Sequence, residues 1–85
     1  MLTLKEAQQK GTRILKSADY AEYPEIDARV LLCHSLGITR EFFYAHGDDF
    51  LLSVEQMEKY EDLLRRRLAR VPVAYITGKR EFRYL

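Results

Sequence analysis

Pro24-Glu25-Ile26-Asp27-Ala28-Arg29-Val30-Leu31-Leu32-Cys33-His34-Ser35-Leu36-Gly37 is the stretch that decides the fold. Pro24 suits the first turn of a helix, where its missing N–H would have no intrahelical partner anyway. Gly37 is placed to end that helix in a left-handed cap. Between them Ile26, Ala28, Val30, Leu31, Leu32, Cys33 and Leu36 cover nearly the whole circumference. A helix apolar on most sides is surrounded by protein, so this one is expected at the centre of a bundle. Asp27 and His34 mark its one polar sliver.

Upstream, Thr3 and Glu6 form a capping box that opens a helix running to about Ala18. Leu4, Ala7, Gly11, Ile14 and Ala18 give it an inward face at alternating spacings of three and four. Gly11 costs about 1 kcal/mol against alanine in a helix interior. It either admits a close approach of another backbone or is simply tolerated. Downstream, Thr39 caps a short helix through Phe42, Phe43, Tyr44 and Ala45 that Gly47 stops, and Asp48 and Asp49 turn the chain. Ser53 with Gln56 is a second capping box, opening the longest helix, to about Arg70, with Met57, Tyr60, Leu64, Leu68 and Val71 as its buried stripe. Glu55/Lys59, Glu61/Arg65 and Asp62/Arg66 are favourably ordered i,i+4 pairs. Pro72 starts a fifth helix, Val73 to about Ile76, which Thr77-Gly78 ends. The fold class expected is all-α, a small five-helix bundle over residues 1–78. Residues 79–85 alternate like a strand with no second strand to pair with.

Composition narrows the function. With 85 residues, 47% hydrophobic and 32% charged, the chain is a single foldable domain. No apolar run approaches the roughly 20 residues of a membrane span, and the first residues do not look like a secretory signal. One cysteine, Cys33, allows no internal disulfide, and a cytoplasmic location is expected. Charge is unevenly spread: residues 1–64 hold 7 basic and 12 acidic side chains, whereas residues 65–85 hold 7 basic and 1 acidic. The positive end, with Arg66, Arg70, Lys79, Arg80 and Arg83, is the candidate contact region for a partner or a neighbouring domain.

The catalytic inventory is thin. His34 and His46 have no carboxylate at ligand spacing, Cys33 has apolar neighbours that raise a thiol pKa, and no Gly-x-Gly turn follows a strand. No catalytic, cofactor-binding or metal residue is assigned. Charge argues against nucleic acid as a partner: Arg65, Arg66 and Arg67 fan around a helix, and the pI of 7.9 is low for a groove reader. Asp27, the acid on an otherwise apolar helix, is expected to pair with an arginine of 65–67, assigned as Arg66, or else to stand as a solvated first-turn carboxylate.

Asp27-Ala28-Arg29-Val30-Leu31-Leu32, Arg65-Arg66-Arg67 and, most specifically, Pro72-Val73-Ala74-Tyr75-Ile76-Thr77-Gly78-Lys79-Arg80-Glu81-Phe82 resemble the amino-terminal domain of the HemK/PrmC family of release-factor glutamine methyltransferases. The resemblance spans essentially the whole chain in helix order. It implies a five-helix domain joined by a β-hairpin linker, which residues 79–85 would start, to a Rossmann-like domain that binds S-adenosylmethionine. The intact enzyme would methylate the glutamine amide of the Gly-Gly-Gln motif of peptide-chain release factors. The family's Asn-Pro-Pro-Tyr motif and glycine-rich cofactor loop do not occur in these 85 residues. The resemblance therefore implies the recognition module without catalysis by this chain alone, with a release factor and the enzyme's own catalytic domain as partners and no cofactor held here. Two other readings are a small helical nucleic-acid-binding domain and a purely structural module that supports the catalytic domain.

Overall fold

The computed structural model describes residues 1–18 and 22–78. Five helices follow in order: α1 (Leu4–Lys16), α2 (Pro24–Leu36), α3 (Arg40–Ala45), α4 (Val54–Leu68) and α5 (Val73–Thr77). Helix α2 packs against each of the other four, and α1 and α4 close on each other across it. Among the described residues there is no strand, only one antiparallel bridge between Thr3 and Leu51. There the Leu52 N–H donates to the Leu2 carbonyl at 2.9 Å and the Leu4 N–H to the Phe50 carbonyl at 3.1 Å, tying the start of α1 to the α3–α4 connection.

The caps form where their side chains place them. Thr3 and Glu6 bond reciprocally, as do Ser53 and Gln56, and the Thr39 hydroxyl accepts from the Phe42 N–H. Gly37 and Gly78 end α2 and α5 at φ 69°, a conformation that costs glycine nothing. The core is Leu4, Ala7, Leu15, Ala28, Leu31, Leu32, Phe43, Leu52, Tyr60, Leu64 and Ile76. Leu31 and Leu32 are fully buried, each contributing about 1.5–3 kcal/mol by removal from water.

Several expectations need correcting. The inward face of α1 runs through Leu4, Ala7, Gly11 and Leu15, flanked by Thr12, with Ile14 only partly buried. Leu15 continues the four-residue step from Gly11, and the Thr12 hydroxyl is satisfied by donating to the Gln8 carbonyl at 2.8 Å. The helix also stops at Lys16, because Ser17 turns its side chain and its N–H back to the Ile14 carbonyl. What approaches Gly11 is a side chain, not a backbone. A methyl built there would overlap the Tyr60 hydroxyl and lie 2.9 Å from Tyr60 Cζ. Helix α4 ends at Leu68, two residues early. Arg70 takes a left-handed φ of 70°, and the Val71 and Arg70 N–H groups donate to the Arg66 and Arg67 carbonyls at 3.2 and 3.0 Å. That is a Schellman closure, and Pro72 then keeps Val71 out of the helix. Finally, α2 is not enclosed on every side: Ile26 is 48% exposed. The expected linker segment, residues 79–85, lies outside the described residues.

Candidate interaction surface

Helices α1, α2 and α4 meet at a buried junction. Tyr60 of α4 is fully buried, and its hydroxyl donates to the Ala28 carbonyl of α2 at 3.0 Å while resting on Gly11 of α1. Burial, aided by the nearby Cys33 sulfur, pushes the Tyr60 phenol well above its ordinary value. Around this junction, Lys10 of α1 reaches Glu61 of α4 at 2.8 Å, so Glu61 serves a tertiary pair and not the expected one with Arg65.

At the C-terminal end of α4 three arginines in succession point in three directions, because each residue advances about 100° around a helix. Arg65 and Arg66, 69% and 58% exposed, share the Asp62 carboxylate at 3.4 and 3.3 Å. Arg67 turns inward: its Nε donates to Asp27 Oδ2 at 3.2 Å, with the two side chains only 15% and 20% exposed. Asp27 thus meets Arg67 and not Arg66. Arg67 lies seven residues after Tyr60 and three after Leu64, on the stripe that faces α2, whereas Arg66 lies four after Asp62 on the outer face. Of the expected contact residues, Arg66 and Arg70 are both exposed, Arg66 within α4 and Arg70 beyond its end. Lys79, Arg80 and Arg83 lie outside the described residues.

The open side of α2 forms a groove of about 640 Å³ with the start of α3 and with α5. Ile26, Val30 and Cys33 of α2, Ile38, and Val73 and Ala74 of α5 give it an apolar lining, to which Asp27, Arg29 and Arg40 add charge. The Arg29 guanidinium donates to the Tyr44 hydroxyl at 2.7 Å and sits 5.8 Å from the centre of that ring. Cys33, expected as a core thiol, is only partly buried and lines this groove. Burial still pushes its thiol above the ordinary value, against a smaller lowering pull from Arg29. Sequence reasoning missed the groove, although the signal was present. Ile26, Val30 and Cys33, spaced four and three, make a stripe on α2 beyond the one that the core uses.

Of the two histidines, His46 has a carboxylate neighbour that its spacing did not suggest. His46 stacks on Phe42 at 4.4 Å, and its Nδ1 lies 3.1 Å from Asp49 Oδ1, because the turn after α3 folds back on the helix end. His34 shares a second cleft, of about 540 Å³, with Glu55, Glu58, Lys59 and Asp62. Among the described residues no three His, Cys, Asp or Glu side chains are grouped to hold a metal ion, and no helix is long and apolar enough to cross a membrane.

The family model for the PrmC N-terminal domain matches residues 6–78. A release factor glutamine methyltransferase of Aliivibrio fischeri is 42% identical over 62 residues, 73% of this chain and 22% of that protein. The Vibrio cholerae protein of the same name is 37% identical over 81 residues, 95% of this chain and 28% of that protein. A bifunctional methyltransferase of Rickettsia conorii is 39% identical over 59 residues, 69% of this chain and 11% of that protein. No solved structure matches the chain. The chain thus spans between a fifth and a third of the two release-factor enzymes.

A methyltransferase needs a site for its methyl donor, and the described residues do not fit one. Gly11 holds the Tyr60 ring, Gly37 and Gly78 cap helices, and the Gly47 carbonyl accepts from the Lys5 N–H at 3.0 Å. None of them opens a helix behind a strand, where a nucleoside cofactor would need it.

Proposed function

Because the chain belongs to the PrmC N-terminal domain family, we propose that it is the substrate-recognition unit of a release factor glutamine methyltransferase, docking a peptide-chain release factor in the cytoplasm. The observation that carries this reading is the extent of the family match. It runs from the first turn of α1 to the cap of α5, so what matches is the whole helical unit.

The chemistry gives such a unit a purpose. An amide nitrogen is a poor nucleophile, and transfer to the glutamine of a Gly-Gly-Gln motif depends on aiming that nitrogen at the methyl group. Binding the substrate protein far from the reacting atoms supplies that orientation, because remote contact energy fixes the geometry at the reacting centre. In this reading S-adenosylmethionine is held elsewhere in the enzyme and no step of transfer runs through residues 1–78. A nucleic-acid role has less support: Asp62 faces Arg65 and Arg66, and Arg67 is tied to Asp27.

Competition tests the proposal. Excess 85-residue chain, added to a full-length release factor glutamine methyltransferase, should raise the apparent KM for the release factor and leave kcat unchanged. Unaltered kinetics at saturating chain would identify a structural module that never touches substrate.

A further inference from the structure

We propose that the groove between α2 and α5 seats a segment of the partner protein that presents an apolar side chain next to a carboxylate. The inference rests on the docking role above and assigns it a place and a chemistry. Three observations converge on it.

The first is an apolar stripe that the bundle does not use. Ala28, Leu31 and Leu32 face the core and are fully buried, whereas Ile26, Val30 and Cys33 line the groove and Ile26 remains 48% exposed. The second is size. About 640 Å³ lies within the range of sites that enclose a ligand, enough for a few side chains of an extended or helical segment.

The third is charge, and it selects the partner. Asp27 is neutralised by Arg67 at 3.2 Å. Arg29 has a tyrosine hydroxyl and ring as its neighbours. Arg40, exposed on the groove, makes no ion pair among the described residues. Besides Asp27, already paired with Arg67, the groove therefore presents two guanidinium groups that no carboxylate of the described residues pairs, whereas Arg65 and Arg66 of α4 share Asp62. An apolar lining with uncompensated guanidinium groups is complementary to an acidic, apolar peptide segment, with Arg able to take a carboxylate in bidentate fashion. A phosphate backbone would leave the apolar lining unused.

Affinity for a release factor, measured by fluorescence anisotropy at two salt concentrations, tests the assignment. Ile26→Ser and Arg40→Glu both alter exposed positions, and circular dichroism with a melting curve establishes that each variant folds. Each should weaken binding roughly tenfold, and Arg40→Glu should also flatten the salt dependence. The bound release factor should slow alkylation of Cys33 by iodoacetamide. Wild-type affinity in both folded variants would overturn the groove assignment and leave docking intact, as would a larger loss with Arg66→Gln than with Arg40→Glu. Absence of binding by the wild-type chain would overturn the docking role itself and the groove with it.

Discussion

Replacing Gly11 by alanine should destabilise the domain, against the ordinary preference of helices for alanine. Helix propensity alone favours Gly11→Ala by about 1 kcal/mol. The structure opposes it, because the new methyl would overlap the Tyr60 hydroxyl, lie 2.9 Å from Tyr60 Cζ and lie 3.3 Å from Ala28 Cβ. Tyr60 cannot swing aside freely, since it is fully buried and bonded to the Ala28 carbonyl at 3.0 Å. Overpacking costs about 1–3 kcal/mol, and displacing the buried hydroxyl from its acceptor adds about 1–3 kcal/mol. Set against the propensity gain, the net loss is about 1–5 kcal/mol, or a fall in Tm of at least roughly 4 °C for a domain of this size. Thermal unfolding followed by circular dichroism reads it directly. The double variant Gly11→Ala/Tyr60→Phe supplies the sharper test. Without the hydroxyl, Gly11→Ala should cost at least about 1 kcal/mol less than in the wild type. A stabilised Gly11→Ala, or strict additivity with Tyr60→Phe, would refute the contact.

Three further predictions concern other parts of the same framework. Asp27→Asn should lower the urea midpoint by the equivalent of about 1–3 kcal/mol, since it removes the Asp27 charge from its bond to the largely buried Arg67, whereas Arg66→Gln, in an exposed pair, should stay within about 0.5 kcal/mol of wild type. Equal effects of the two would contradict the assignment of the partner. Arg70→Gly should raise the midpoint by about 1 kcal/mol by relieving the left-handed φ of 70°; a loss would show that the side chain contributes more than the backbone conformation costs. The thiol of Cys33 and the phenol of Tyr60 are both raised above their ordinary values of 9.0 and 10.0, so the native state holds these protons more tightly than the unfolded chain. Their contribution is whole below those ordinary values and is lost as pH climbs through the raised ones. Urea midpoints measured from pH 8 to 11 should fall for the wild type, and Tyr60→Phe should flatten the fall; parallel profiles would contradict it.

Local chemistry was legible in the sequence and tertiary choice among similar residues was not. The capping boxes at Thr3/Glu6 and Ser53/Gln56, the Pro24 start and the Gly37 and Gly78 stops involve neighbours within a few positions, and they form as expected. The central position of α2 followed from its apolar circumference. Which arginine meets Asp27 depended on the rotation of α4 against α2, a matter of one residue, or about 100°, that the run Arg65-Arg66-Arg67 leaves open. Gly11 posed a similar problem: its position on an apolar face suggested a close approach, but only packing names Tyr60 as the visitor. The groove was hidden for another reason. An apolar stripe reads the same whether the bundle covers it or leaves it open, and α5 covers only one edge of the stripe.

The measurement that bears most directly on the proposed role is a titration of the 15N-labelled chain with unlabelled release factor, followed by amide resonances. A docking unit should show saturable shifts or broadening confined to one face, strongest around Ile26, Val30, Arg40 and Val73, while core amides of Leu31 and Leu64 hold their positions. A spectrum unchanged at a several-fold excess of release factor would contradict recognition by this domain.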